Sequence, residues 1–213
     1  MSEIQRGVWL FGKGRLAVYT AKLVQSLPKY DLKGLIPVEK EPEWDISFKN
    51  WGEENSLPIL TLESWRLTQL SRGDLGISIY FDKLFSASDL KRIALFLNLH
   101  NSPLPKYRGM RPINWALENE EMTHGVTLHK IENGIDTGPI LGQITFPIFC
   151  NQQEVSDVYN TCVEIAKVLI RDTLTFSEFS EFHEQDESKA TYYSNLDISK
   201  LRKHINWGSR QWL

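Results

Sequence analysis

Short unbroken apolar runs alternate along this chain with segments whose apolar residues recur at helical spacing, and few folds accept that order. Gly7 to Phe11 reads as a buried strand, and Gly12-Lys13-Gly14 turns the chain. Leu16, Tyr19, Leu23, Val24 and Leu27 then lie on one helical face. Leu35-Ile36 with Val38, Leu75 to Tyr80 and Leu95 to Leu99 read as further strands, with a helix over Ser88 to Ala94 between the last two. Trp44 to Asn55 reads as a polar, irregular loop. Pro58-Ile59-Leu60 reads as a short strand before a helix carrying Leu62, Trp65 and Leu70. After a proline-rich turn over 103–112, Ile113 to Glu120 reads as a helix, and Val126 to Ile131 and Ile140 to Phe146 as two strands. Val155 to about Phe182 reads as one long helix.

Strands that are apolar throughout must be covered on both faces, so the expected fold class is α/β. The expectation is a Rossmann-like, mostly parallel sheet with helices on both faces, occupying residues 1–185. A short aromatic C-terminal extension over 186–213 completes it.

Composition narrows the function. With 41% hydrophobic and 24% charged residues in 213, the chain has enough apolar material for one folded domain rather than a disordered one. A net charge of −3 carries no basic excess, so nothing points to a general nucleic-acid binder. Cys150 and Cys162 make neither a disulfide framework nor a zinc-ligand spacing, and no His, Cys or carboxylate cluster suggests a metal site. The opening MSEIQRGVWLFGKG lacks a basic segment followed by a long apolar one, and no run approaches the roughly 18 apolar residues of a membrane span. A cytoplasmic protein that does not enter membranes is expected.

The segment Phe96-Leu97-Asn98-Leu99-His100 breaks the apolar rule. Side chains alternate along a strand, so Asn98 and His100 share one face. Ligands of open α/β sheets bind beyond the carboxyl ends of strands, where this pair would sit. Histidine can accept and return a proton near neutrality, and an amide can donate to a developing oxyanion. Taken alone, the pair equally suits a buried His and Asn that satisfy backbone groups.

Two longer blocks favour the chemical reading. His100-Asn101-Ser102-Pro103-Leu104-Pro105-Lys106-Tyr107-Arg108-Gly109, continued by Pro112 and Trp115-Ala116, resembles the H-x-S-x-L-P-x-Y-R-G signature of the folate-dependent formyltransferases. Gly125-Val126-Thr127 with Gly134-Ile135-Asp136-Thr137-Gly138-Pro139-Ile140-Leu141 is similar to that family's second signature. The resemblance is clear over 75–147 and weaker outside. It implies formyl transfer from 10-formyltetrahydrofolate to an amine through a tetrahedral intermediate, with Asn98, His100 and Asp136 as the catalytic trio. In that scheme His100 takes the amine proton, Asn98 supports the oxyanion and Asp136 orients or charges the imidazole. Residues Phe81, Lys83, Leu84 and Phe85, with Asn133, Gly134 and Ile135, are implied to hold the folate. Phe81, Leu84 and Phe85 suit a core equally well, and the Asp136 block taken alone suits a mere turn. His124, His129, His183 and His204 have no comparable context and read as ordinary.

Gly12-x-Gly14-x-x-Ala17 between a strand and a helix also fits a dinucleotide fingerprint, with Glu39 as its acidic partner, so an NAD-dependent dehydrogenase stays open. The downstream blocks have no role in hydride transfer. Under the formyltransferase reading, Gly12, Lys13 and Gly14 would approach a substrate phosphate, joined by Tyr107, Arg108 and Gly109. The glycines also suit a tight turn with no ligand and Tyr107 loop packing, and Arg108 suits a solvated charge as well as an anion contact. The resemblance leaves three acceptors: methionyl-tRNA, glycinamide ribonucleotide, and nucleotide-linked amino sugars of polysaccharide biosynthesis. The Gly-Lys-Gly opening and the short stretch after Ala190 look most like the amino-sugar branch, in which a homodimer is expected. A non-catalytic folate- or nucleotide-binding module is the alternative of another class.

Overall fold

Arg6–Gly12 forms strand β1, buried from Gly7 onward, as a run apolar on both faces requires. The computed structural model describes residues 5–202. They fall into two compact units: residues up to Leu99 with Ile170–Phe176, and His100–Leu169 with the residues from Ser177 onward.

In the first unit β1 is followed by helix α1 (Gly14–Ser26), strand β2 (Tyr30–Pro37), helices α2 (Phe48–Glu54) and α3 (Leu62–Leu67), and strand β3 (Leu75–Ile79). The single turn α4 (Ala87–Leu90) and strand β4 (Leu95–His100), of which 95–99 belong to this unit, follow. β1 pairs in parallel with β2 on one side and β3 on the other, and β3 pairs in parallel with β4. The strand order β2-β1-β3-β4 is that of a Rossmann-like parallel sheet. Phe11 and Trp65 are fully buried and meet edge to face at 5.2 Å, with Phe96 at 5.5 and 5.8 Å from them. Burying each such ring contributes about 1.5–3 kcal/mol. Trp9 Nε1 donates to the buried Asp74 carboxylate at 2.8 Å, so the indole reaches the core without an unmet donor.

Several local expectations change. Residues 48–54 are helical, not a loop, because side chains take up the first-turn amides. The Glu41 carboxylate accepts from Phe48 N and Lys49 N at 2.7 and 3.1 Å, and Ser47 Oγ accepts from Asn50 N at 3.1 Å. Residues 58–60 make only an isolated bridge, Leu35 to Ile59. The helix expected over Ser88 to Ala94 is one turn, closed by a capping box between Ser86 and Asp89. β2 starts earlier than the apolar pattern suggested, at Tyr30.

The second unit holds the short strand β5 (Arg108–Gly109), helix α5 (Pro112–Glu118), strands β6 (Thr123–Lys130) and β7 (Ile140–Pro147), and helix α6 (Val155–Phe176), of which 155–169 belong to this unit. Strand β8 (Tyr192–Tyr193) lies between two 3-10 turns. β6 and β7 are antiparallel, and β5 pairs in parallel with β8. In this unit, α6 buries Val155, Val158, Tyr159, Cys162, Val163, Ala166 and Leu169, a stripe at helical spacing. The helix ends at Phe176 rather than near Phe182. The chain then turns through Phe179, whose φ is 53°, and His183 bridges Ile140 in both directions at 2.8 Å. Within the segment expected as a C-terminal extension, Tyr192 and Tyr193 pair with Arg108 and Gly109, and Thr191 O accepts from Arg108 N at 2.9 Å. His204, Asn206 and Trp207 lie outside the described residues.

Candidate active site

β4 ends at His100, two residues beyond Asn98 on the same face of the strand, as the alternation predicts. Asn98 is half-buried and pairs in register with Ser78 of β3. His100 is 8% exposed. Its Nε2 lies 2.8 Å from the main-chain oxygen of Tyr107. A carbonyl can only accept, so Nε2 carries the proton and, in the neutral ring, Nδ1 carries the lone pair. That Nδ1 stands 3.5 Å from Asp136 Oδ2.

Asp136 occupies the β6–β7 connection in a left-handed conformation, φ 55°, following Gly134 at φ 138°. Its Oδ2 also accepts from Gly109 N at 2.8 Å. On the other oxygen, Oδ1 is 3.4 Å from Nε2 of His129, a β6 residue only 2% exposed. His129 Nδ1 in turn lies 2.9 Å from the Lys130 carbonyl, so both its ring nitrogens face acceptors. Burial pushes the Asp136 carboxyl up. The charge of His100, the hydrogen bond and charge of His129 and the Gly109 amide outweigh it and hold the group well below its usual value. The result is a buried, ionised carboxylate between two imidazoles. One of those imidazoles keeps a proton-accepting nitrogen directed at it.

His129 was not legible as a site residue, and the pattern gives the reason. Every residue of β6 from His124 to His129 is buried, so no alternation sets the histidine apart. Ser102 is structural: its Oγ donates to Lys106 O at 2.7 Å, and its carbonyl accepts from Thr127 Oγ1 at 2.7 Å.

The residues expected to hold a substrate have other partners. The Arg108 guanidinium is 6% exposed and engaged by Gln185 Oε1 and by both oxygens of Glu187, at 2.6–3.1 Å. It is thus committed within the protein rather than offered to an anion. The Tyr107 ring stacks on Tyr193, and its hydroxyl donates to Glu121 at 2.8 Å. Gly109 is a glycine because a Cβ there would stand 2.3 Å from the Tyr193 carbonyl oxygen, at a φ of 87°. In the first unit, Arg15 N and Nε both donate to Asp45 Oδ1, at 3.2 and 3.1 Å. The start of α1, where Gly12, Lys13 and Gly14 were expected to face a phosphate, thus already meets a carboxylate. Glu39, the acidic partner required by the dehydrogenase reading, is ion-paired with Lys83.

Of the residues expected to hold folate, Phe81 and Phe85 are half-buried and stack at 5.6 Å, each against Phe11. Leu84 is 73% exposed, and Lys83 also approaches Glu63 at 3.9 Å. Asn133, Gly134 and Ile135, which precede Asp136 in the chain, are exposed, Ile135 at 37%. Among the described residues no group of three or more His, Cys, Asp or Glu is placed to hold a metal, and no helix is long and apolar enough to cross a membrane.

A family model described as formyl transferase matches residues 27–174, which contain the whole His100–Asp136–His129 arrangement. The chain belongs to the formyl transferase family. The methionyl-tRNA formyltransferase of Pseudothermotoga lettingae is 35% identical over 155 residues, covering 72% of this chain and 51% of that protein. The chain spans about half the length of that relative. Among solved structures, this formyl transferase chain is similar to WlaRD, a sugar 3N-formyl transferase solved in the presence of dTDP and 5-N-formyl-THF. The two share 25% identity and a TM-score of 0.81 over 94% of this chain and 73% of that one. It is also similar to the N-formyltransferase of Helicobacter canadensis in complex with folinic acid and dTDP-3-aminofucose. There the identity is 26% and the TM-score 0.80, over 91% of this chain and 72% of that one. These likenesses carry the Rossmann-like α/β fold over nearly the whole chain.

Proposed function

We propose that this chain is a cytoplasmic N-formyltransferase that moves the formyl group of 10-formyltetrahydrofolate to the amino group of a nucleotide-linked amino-deoxysugar. The observation that carries the reading is the orientation of His100. With Nε2 held by the Tyr107 carbonyl, Nδ1 is the nitrogen free to take a proton, and it takes it beside an ionised Asp136.

The donor supplies an electrophilic formyl carbon. An amine attacking it must shed one proton, and His100 Nδ1 accepts that proton while the Asp136 carboxylate stabilises the imidazolium. As the C–N bond to the folate nitrogen breaks, that nitrogen needs a proton, and the same imidazolium returns it. Asn98, on the face of β4 shared with His100, is assigned to the oxygen that becomes anionic in between. Of the residues assigned to the formyl donor, Leu84 and Ile135 are exposed apolar side chains.

The amino-sugar acceptor is supported by the two solved structures described above, whose ligands are dTDP, a dTDP-amino sugar and reduced formyl-folates. The 35% identity to a methionyl-tRNA formyltransferase favours a second reading, with charged initiator tRNA as acceptor.

The test is release of tetrahydrofolate from 10-formyltetrahydrofolate in the presence of nucleotide-linked 3- and 4-amino-deoxysugars, charged initiator tRNA or glycinamide ribonucleotide. Turnover is expected with one amino sugar, falling about 100-fold or more in His100→Ala. Turnover with tRNA alone would keep the chemistry and replace the acceptor. Release without any acceptor would make the chain a hydrolase.

A further inference from the structure

Gln185 is a buried amide, 9% exposed, whose hydrogen-bonding capacity is taken up around the Asp136 turn. Its Nε2 donates to the main-chain oxygens of Asp136 and Gly138, both at 2.8 Å. Its Oε1 accepts from Arg108 Nε and Nη2 at 3.1 and 2.8 Å. The orientation of the amide is fixed by chemistry, since a guanidinium can only donate and carbonyls can only accept. Glu187 then clamps the far side of Arg108 with bonds of 3.0 and 2.6 Å.

The two arms of this amide reach the two things that set where the Asp136 carboxylate stands. One arm holds the main chain of Asp136 itself. Its φ of 55° is a left-handed conformation unfavourable for a residue with a Cβ, so the turn depends on such bonds. The other arm holds Arg108, whose neighbour Gly109 supplies the amide bonded to Asp136 Oδ2. The backbone around this pair is fixed as well: Arg108 N donates to Thr191 O at 2.9 Å and His183 bridges Ile140.

We infer that Gln185 is a positioning residue for formyl transfer: it sets the Asp136 carboxylate against Nδ1 of His100. The inference rests on the reading of the His100–Asp136 pair as the proton-handling site. Gln185 touches neither substrate nor the reacting atoms. It acts through the geometry of Asp136, and displacements of about 1 Å in such a pair can cost on the order of 100-fold in rate.

Two variants test it. Gln185→Met removes both arms at similar volume. Gln185→Glu keeps an acceptor for Arg108 and loses the donors to Asp136 O and Gly138 O. In both, kcat is expected to fall about 10- to 100-fold while KM for donor and acceptor stays within about threefold. The 15N resonances of the His100 and His129 rings are expected to move in both variants, a readout that needs no turnover. Unmoved 15N resonances would overturn the inference, whether activity is kept or lost. So would a kcat within twofold of the parent chain. A parent chain inert with every acceptor, in which the ring resonances still respond to both substitutions, would sink formyl transfer and leave the positioning of Asp136 standing.

Discussion

Nε2 of His129 lies 3.4 Å from Asp136 Oδ1, so the carboxylate that serves His100 through one oxygen is shared with a second, more deeply buried imidazole through the other. Removing a partner from a buried charge leaves that charge less compensated. In His129→Leu the Asp136 carboxyl is expected to titrate at higher pH than in the parent chain, as read from its 13C resonance. The sign follows from the pair: its depressed value contributes stability that is full above the ordinary carboxylate range and lost as pH falls through the folded value. The variant should lose part of that contribution at neutral pH and transfer formyl about tenfold more slowly. An unchanged Asp136 titration would rule out the shared carboxylate.

His124 makes a different prediction because it stands with its neutral form buried. Its Nε2 donates to the Asn101 carbonyl at 2.8 Å, and Nδ1 is buried with no hydrogen-bond partner among the described residues. Burial pushes its pKa down to about 4, and the charge of His100 adds to the effect, against the pull of the Asn101 carbonyl and Glu121. An unfolded chain protonates this ring near 6.5, so between about 6.5 and 4 the unfolded state binds more protons. Stability from this group is therefore complete above that window and falls as pH drops through it, by up to about 3 kcal/mol. Denaturant midpoints followed from pH 7 to 4.5 should slope less in His124→Gln than in the parent chain. The Asp136 contribution begins to fail only below the ordinary carboxylate range, so the two windows separate.

Sequence made the Asn98–His100 pair visible because the two interrupt a strand whose other positions are apolar, and the family signature supplied Asp136. The parallel strands were legible for the same reason: a run such as Gly7 to Phe11 has no polar face to leave in water. What stayed hidden was held by distant partners. Gln185 reaches 49 residues back to Asp136 and 77 back to Arg108, and no local period encodes that. Helix α2 was hidden because its first amides are met by Glu41, outside the helix, while few of its own side chains are buried. Arg108 read equally as a solvated charge and as an anion contact, because a lone arginine in a loop carries no sign of the two side chains that claim it.

Asp45 is expected to act as the anion at the start of α1 in the absence of substrate. Its Oδ1 accepts from the main chain of Arg15 and also holds the Arg15 side chain. Loss of such a contact at a helix N-terminus costs about 1 kcal/mol. Asp45→Ala should lower the thermal midpoint by about 2–4 °C for a chain of this size, with kcat within twofold. An unchanged midpoint would mean that the Arg15 amide is equally well served by water.

The last prediction separates a strand-packing glycine from a ligand-binding one. A Cβ on Gly12 would stand 2.1 Å from the Ile79 carbonyl oxygen, at a φ of 149°. That carbonyl accepts from Lys13 N at 3.2 Å, and the Gly12 carbonyl accepts from Val38 N at 3.1 Å, so β1, β2 and β3 are tied together at this point. Alanine there must push β3 away from β1 or distort both, which together with the backbone strain costs about 2–4 kcal/mol. Gly12→Ala should therefore lower the thermal midpoint by on the order of 10 °C. Lys13→Ala, next to it, leaves the strand approach untouched and should hold the parent midpoint. If Gly12→Ala instead keeps its midpoint and raises only KM for the acceptor, the glycine serves the substrate and the strand approach tolerates a side chain.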